Sequence, residues 1–397
     1  MRTGRVFLLI VAAMSASVAV ACSDRDDGLE EDNQEVSDPN DLYGQTEALP
    51  ITLSAPLTTL FTRLNNHQVD PPSVKDGDAG GVVEYEEPGY SEPGQLVFKQ
   101  GATEKKLDVR VFVRGESSLS DCPFPKLKLE FTDKEQLKGT PFKTHGKVRL
   151  NTHCGPGEEK TRSKLGRVLN GIGPVREDLA YRLVRAAGIP TYLTRVAKVV
   201  YDDTASHKKT NSFAMFMESG DDAAQRFAKS RLIPEDGKFL DSAKGEVTGK
   251  TTPTNDAEVI VAEAIVGNRD FDGGYLHNVD AFGVPKGPKV FKIAQDFDLG
   301  AITLGDVAAY WKGSGTIDDA RAGLVMKGLV TQLKSKKNTM YRVLDDAEKD
   351  AIAAGATKGN DSGFAEAKRR LDGLFELPEI TGKEPVVAAD AGAGRDF

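Results

Sequence analysis

The clearest pattern in the chain is an alternation of apolar and polar positions across its first half. Leu107, Val109, Val111 and Val113 alternate with Asp108, Arg110 and Phe112, and Leu127, Leu129 and Phe131 alternate with Lys126, Lys128 and Glu130. A period of two sends successive side chains to opposite faces, so the region 95–150 predicts half-buried antiparallel strands. Two more strands are predicted near 194–200 and 212–217. Between the two groups the period changes. Pro174 opens a run with Leu179 and Leu183 on one face, and Gly188 and Pro190 close it, which predicts a helix over 175–187.

The second half has a different texture. A helix is predicted over 256–266, with Asn255 and Glu258 spaced as in a capping box. The polar loop GNRDFDGGYLHNVD follows, then the strand VFKIAQ and the segment DFDLG, and helices are predicted over 320–333, 345–354 and 364–374. No internal repeat is present. The pattern predicts an α+β chain: a β-rich lobe over 51–220, a mostly helical lobe over 221–380 that carries the polar motifs, and a disordered tail over 381–397.

At 397 residues the chain is long enough for two or three domains or one large two-lobed one, and its composition is that of a globular protein. Charge changes the picture at one place. The net charge is −8, yet residues 23–50 alone carry −9, so the body beyond them is almost neutral and no nucleic-acid partner is expected. That acidic stretch is poor in apolar residues and reads as a disordered tether.

The tether follows an address. Arg2 and Arg5 form a basic region, Val6 to Val20 an apolar one, and Ala19 and Ala21 are the small residues of a cleavage site, so residues 1–21 read as a signal peptide. Cys22 directly after it resembles a bacterial lipobox, A-V-A-C. The expectation is lipidation at Cys22 and a mature protein held by a membrane anchor in the cell envelope, facing the periplasm or exterior, with residues 22–50 as lipidated end and tether. Cys122 and Cys154 then remain, an even number in an oxidising compartment, and are expected to form a disulfide. The competing reading is zinc held by Cys122, Cys154 and His153 with His145, for which no C-x-x-C or H-x-x-x-H spacing exists.

Several motifs can be set aside. Gly245 to Thr251, GEVTGKT, has three residues between its glycines where a phosphate-binding P-loop needs four, and neither G-x-S-x-G nor H-E-x-x-H occurs. The loop GNRDFDGGYLHN admits two readings. As a calcium loop, Asn268, Asp270, Asp272 and Gly273 match the first positions of an EF-hand, but the twelfth position is Val279 instead of Glu. As a phosphoryl-transfer loop, Asp270 orients the acceptor hydroxyl, Asn278 is a metal ligand, and Asp296 or Asp298 supplies the carboxylate that grips Mg²⁺ against ATP phosphates. Such chemistry is mostly positioning and charge neutralisation, which is why it needs one carboxylate at the nucleophile and others on hard cations. Two carboxylates two residues apart, as in D-F-D, share a face of extended backbone.

The order of motifs resembles the spore-coat CotH kinase family of atypical secretory kinases. RGESS at Arg114–Ser118 and PKLKLEF at Pro125–Phe131 are similar to the family's R-G-x-S-S followed by P-K and a strand. VREDLAYRLVRAAGIP is similar to its L-A-Y helix, FMESGDD to its hinge-like V-E segment, GNRDFDGGYLHN to its G-N-x-D loop, and QDFDLG to its W-D-x-D, with Gln295 standing for the Trp. The likeness spans roughly 109–303. It implies a two-lobed, protein-kinase-like fold and an exported, lipid-anchored kinase that transfers phosphate from Mg-ATP to protein Ser or Thr. By the same resemblance Asp270 is the catalytic residue, Asn278, Asp296 and Asp298 the metal ligands, and Arg114, Lys126 and Glu218 the nucleotide-binding residues. Glu177 could pair with Lys126 as kinases require, although the resemblance rests on Arg176. The alternative is a non-catalytic surface or structural lipoprotein on the same fold, holding Ca²⁺ in the acidic loop.

Overall fold

The computed structural model describes residues 38–66, 91–228, 240–241, 246–247, 252–268, 278–283, 290–305, 324 and 327–382. The expectations for the signal peptide, for Cys22 and most of the tether, for Asp270 and the loop around it, and for the tail beyond 382 fall outside the described residues.

Seven strands close into a barrel. They are β1 (Leu49–Ala55), β2 (Ser91–Gln100), β3 (Thr103–Val113), β4 (Leu127–Phe131), β5 (Lys147–Asn151), β6 (Thr194–Asp203) and β7 (Lys208–Met217). Their order around the barrel is β1-β2-β3-β4-β5-β7-β6. Neighbours are antiparallel except β1 and β6, which close the ring in parallel, from Leu49 opposite Ala197 to Ala55 opposite Asp203. The alternation explains the filling: Leu53, Leu96, Val111, Leu127, Leu129, Leu150 and Phe216 point inward and are buried. Each such side chain stabilises the fold by roughly 1.5–3 kcal/mol relative to exposure. A slip of one residue in any strand would turn that set outward, so the core fixes the register. The opposite face of β3, β4 and β5 carries Phe112 and Lys128 as cross-strand partners and Arg149 opposite Lys128.

Helices attach to this barrel. The short α1 (Leu57–Asn66), α2 (Glu116–Asp121) and α3 (Lys134–Leu137) sit in strand connections. The central α4 (Ile172–Ala186) is buried on almost every side, because it packs on β6 and β7 and also on helices of the second half. Those are α6 (Pro253–Val266), α7 (Ala301–Leu304), α8 (Lys327–Ala354) and α9 (Ser362–Glu376), and the second half also holds α5 (Gly220–Ala228) and α10 (Pro378–Thr381). Two hairpins lie among them, β8 (Leu240–Asp241) with β9 (Glu246–Val247), and β10 (Val279–Gly283) with β11 (Val290–Ala294).

The α+β class stands, with several corrections. The β-rich half is a closed seven-stranded barrel, not the usual form of a kinase N-lobe. Helix α4 starts three residues earlier than the pattern suggests, since Gly171 precedes it and Pro174 sits within its first turn. Helix α6 is capped by Thr252, whose side chain accepts from Asn255 N–H, with Pro253 at the first helical positions. Residues 327–333 and 345–354, expected in two separate helices, belong to one 28-residue helix, α8, while 320–326 lie outside the described residues apart from Leu324.

Residues 38–48, expected to end a disordered tether, are packed on the barrel. Leu42 is fully buried, and its N–H donates to the Pro141 carbonyl at 2.9 Å. Arg195 donates to the carbonyls of Leu42 at 3.1 Å and Glu47 at 2.9 Å. The zinc alternative also falls away. Cys122 and Cys154 are joined in a disulfide, and His145 lies instead between Asp222, 3.1 Å from its Nδ1, and Asp41, 3.3 Å from its Nε2.

Candidate functional site

A cluster of charged side chains forms where the barrel meets α4 and the end of β11. Its centre is Lys126, the last residue before β4, which is held by its own backbone: its N–H donates to Ser118 Oγ at 2.8 Å and its carbonyl accepts from Arg114 N–H at 2.9 Å. The RGESS segment is therefore the bracket that sets Lys126. Gly115 turns this bracket at φ 77°, in the left-handed region that favours glycine. Lys126 Nζ lies 2.5 Å from Asp296 Oδ1 and 2.9 Å from Asp298 Oδ2.

The two carboxylates reach one ammonium by a route the sequence pattern did not suggest. The backbone of D-F-D is not extended: Asp296 is left-handed at φ 54°, and Phe297–Leu299 form a turn of 3₁₀ helix. Tyr181 on α4 fixes this turn, since its hydroxyl oxygen accepts from Asp296 N–H at 2.9 Å and its ring lies 4.5 Å from that of Phe297. Across the open end of the β10–β11 hairpin, Asn278 is also left-handed, at φ 57°, and its carbonyl accepts from Gln295 N–H at 2.9 Å. The register thus brings Asn278 and Asp296 to the same end of one hairpin. Non-glycine residues with positive φ are uncommon, and Asn and Asp tolerate that region best.

The two acids differ in surroundings. The Asp298 side chain is 11% exposed and is gripped twice, by Lys126 and by Arg167 Nε at 2.6 Å, whereas Asp296 keeps 33% of its side chain exposed. Burial would raise the Asp296 carboxyl, but Lys126 and Arg167 outweigh it and hold the group down to about 2. For Lys126, burial favours the neutral amine, yet Asp296 and Asp298 keep it charged and push it above its usual value.

Glu177 on α4 belongs to the same cluster. Burial is the main cause that lifts its carboxyl to about 7, with Asp298 and Asp296 pushing the same way against Lys126. Its Oε1 accepts from Asn151 Nδ2 at 2.8 Å, and Asn151 Oδ1 accepts in turn from Arg114. Perturbed carboxyls of this kind gather both at functional sites and in buried ion-pair networks. A small cavity of about 20 Å³ beside Lys126 is lined by Glu177, Asp298, Thr303, Arg167 and the Cys122–Cys154 disulfide.

The structure thus gathers Lys126, Arg114, Asp296 and Asp298 and sets Asn278 at the neighbouring hairpin end. Asp270 falls outside the described residues. Glu218 is elsewhere and engaged: its Oε1 accepts from Leu193 N–H at 2.7 Å and it pairs with Arg226, tying the end of β7 to the start of β6. Arg167, Tyr181 and Asn151 also belong to the cluster, although no sequence motif gives them a role in it. Arg167 lies in the aperiodic loop SKLGRVL, where nothing but its charge marks it. An open groove of about 980 Å³ on the outer barrel wall, crossing β2, β1, β6 and β7, contains none of these residues.

No protein-family model and no curated protein matches this chain. Among solved structures it is similar to the Helicobacter pylori proinflammatory kinase CtkA, with 10% sequence identity and a TM-score of 0.28 over 62% of this chain and 91% of that chain. A superposition at that score carries no argument about fold or activity.

Proposed function

We propose that this chain is an exported, lipid-anchored phosphotransferase of the CotH kinase type, which moves a phosphoryl group from Mg-ATP to Ser or Thr hydroxyls of a protein. The observation that carries the reading is the sharing of Lys126 between Asp296 and Asp298, with the near-neutral Glu177 beside them. Lysine next to paired carboxylates is what a triphosphate with a hard cation requires: a cation for the phosphate oxygens and anions for the metal.

In this reading Asp296 and Asn278 hold Mg²⁺, because both stand at the open hairpin end and Asp296 is the more accessible of the two acids. The chemistry such an ion would supply there is neutralisation of phosphate charge. Asp298, fixed by Arg167, keeps Lys126 oriented, and Lys126 with Arg114 offers positive charge to the nucleotide. Asp270 orients the acceptor hydroxyl. Glu218, the third residue expected at the nucleotide, is held by Leu193 N–H and Arg226. The anchor at Cys22 places the reaction at a membrane of the cell envelope.

A second reading, a non-catalytic lipoprotein with Ca²⁺ in the acidic loop, has one observation in its favour: Lys126 and Arg167 already neutralise Asp296 and Asp298 within the protein. Calorimetric titration of the purified mature protein with Mg-ATP, and separately with Ca²⁺, decides between them. Heat from Mg-ATP with phosphate incorporation into a protein acceptor supports the kinase. Failure to bind Mg-ATP at millimolar concentration, with Ca²⁺ bound, overturns it. For the anchor, Cys22→Ala should move the protein from the membrane fraction to the soluble envelope fraction, and unchanged membrane association would sink that part.

A further inference from the structure

The last residue of α2, Asp121, lies against the site without touching any of Lys126, Asp296 or Asp298. Its carboxylate is 2% exposed, and both of its oxygens are engaged by the loop 163–167. Oδ1 accepts from Leu165 N–H at 3.0 Å, and Oδ2 accepts from Arg167 Nη1 at 3.1 Å and from Ser163 Oγ. Ser163 Oγ accepts from Arg167 N–H at 2.9 Å, and Ser163 N–H donates to the Arg167 carbonyl at 2.9 Å, so the turn 163–167 is folded around this one acid. Arg167 then has little freedom left: its remaining nitrogens meet Ser117 Oγ at 2.8 Å and Asp298 Oδ2 at 2.6 Å.

Asp121 is itself held covalently. The next residue, Cys122, is bonded to Cys154, three residues past the end of β5, and Phe124 N–H donates to the Cys154 carbonyl at 2.9 Å. Thr152 Oγ1 donates to the carbonyls of Phe124 and Pro125, the two residues before Lys126. One short stretch, 121–126, therefore carries the disulfide, the acid that sets Arg167 and the lysine of the site.

We infer that Asp121, fixed by the Cys122–Cys154 disulfide, is a positioning residue for the candidate site: it aims Arg167 at Asp298, and Asp298 in turn holds Lys126. Its importance for phosphoryl transfer rests on the reading above, but the positioning itself does not. The disulfide is then more than a clamp on the unfolded chain, because opening it slackens the link that fixes the charges around Lys126.

The test reads Lys126 directly. Amine acylation by an excess of a small reagent at pH 8, followed by peptide mass mapping, gives the labelling rate of Lys126, with the exposed Lys138 as internal reference. Three proteins are compared with the parent: Asp121→Asn, Asp121→Glu, and the double variant Cys122→Ser/Cys154→Ser. Hydrogen exchange of the peptide spanning Gln295–Leu304 is followed in parallel.

Labelling of Lys126 at least tenfold faster in Asp121→Asn with the disulfide intact, the same increase in the double variant, and partial return toward the parent rate in Asp121→Glu are the expected results. Exchange over Gln295–Leu304 should rise with them. A lower melting temperature with unchanged Lys126 labelling and unchanged exchange over that peptide would show a merely stabilising acid and overturn the inference. If Asp121→Asn does not fold, the double variant and the parent reduced with dithiothreitol give the same two outcomes. Should the parent not bind Mg-ATP, the kinase reading fails while the labelling result still decides the role of Asp121.

Discussion

Arg176 and Glu177 are adjacent on α4 yet serve opposite sides of the molecule. Arg176 has no exposed surface and grips Asp361 at the start of α9 through two bonds of 2.8 Å, from Nε to Oδ1 and from Nη2 to Oδ2. Glu177 faces Asn151 of the barrel and the charges around Lys126. Successive residues of a helix point about 100° apart, so one turn of α4 can be fastened to the C-terminal helices and offer a carboxyl to the site at once.

That fastening predicts a large stability effect. Asp361 also caps α9 by accepting from Gly363 and Phe364 N–H. Arg176→Met removes the partner of a buried carboxylate and should cost roughly 3–5 kcal/mol, the usual loss when one half of a buried ion pair is deleted. Denaturant unfolding of parent and variant measures it, and a loss below about 1 kcal/mol would contradict the assigned role.

Glu177 predicts a pH dependence of definite sign. Its carboxyl is raised to about 7 by burial from an ordinary value near 4.5, so between those limits the folded state binds more protons than the unfolded one. Stability then falls as pH rises from about 4.5 through 7, by an amount on the order of 2–3 kcal/mol. Glu177→Gln should remove that slope and leave the variant more stable than the parent above pH 7. An identical pH profile for the two proteins would refute the buried, near-neutral carboxyl.

His145 should show the same sign in a higher pH window. Burial alone would lower its imidazole, but Asp222 and Asp41 outweigh it and raise the group to about 9. A histidine raised above its unfolded value contributes stability that is complete below about pH 6.5 and lost as pH climbs through 9. The contribution is roughly 3 kcal/mol. In His145→Gln the stability should be lower near neutrality and nearly flat between pH 6.5 and 9. Because Asp41 lies in the segment 38–48, the same variant should make that segment more accessible to limited proteolysis.

Asp296 and Asp298 are expected to separate in their effects. Asp296→Ala should weaken Mg-ATP binding at least tenfold, about 1.4 kcal/mol, while leaving melting temperature within a few degrees, because the side chain is one-third exposed. Asp298→Ala removes the buried carboxylate that Arg167 and Lys126 share, leaving each with a single acid, Asp121 and Asp296 respectively, and should lower melting temperature clearly. The reverse ranking in calorimetry and thermal unfolding would exchange their roles.

Much of the barrel was legible because alternation is a local signal. The strands that pair Val109 with Phe131 and Val111 with Leu129 are announced by their period of two, although their register is not. The closure was not. Leu49, Ile51, Leu53 and Ala55 alternate too, but their partners in β6 lie almost 150 residues away, and no local pattern names a parallel neighbour at that distance. The site divides the same way. D-F-D and P-K announce themselves by residue type, whereas Arg167 and Asp121 matter through loop geometry that only the folded chain supplies. The left-handed turn at Asp296 replaced the extended backbone that the spacing of its two acids suggested.

The parallel pairing of β1 with β6 sets an order of events for a chain made, or threaded through a membrane, from its N-terminus. β1 emerges first but cannot find its place until residue 203 has followed it, because every hydrogen bond it makes to β6 waits for that strand. The hairpins β2–β3 and β6–β7 can form as soon as they appear, since their contacts are short-range, while ring closure bears the loop entropy of the whole intervening chain. Until then β1 has no neighbour on that side, and residues 38–48 lack the β6 residue Arg195 that holds the carbonyls of Leu42 and Glu47.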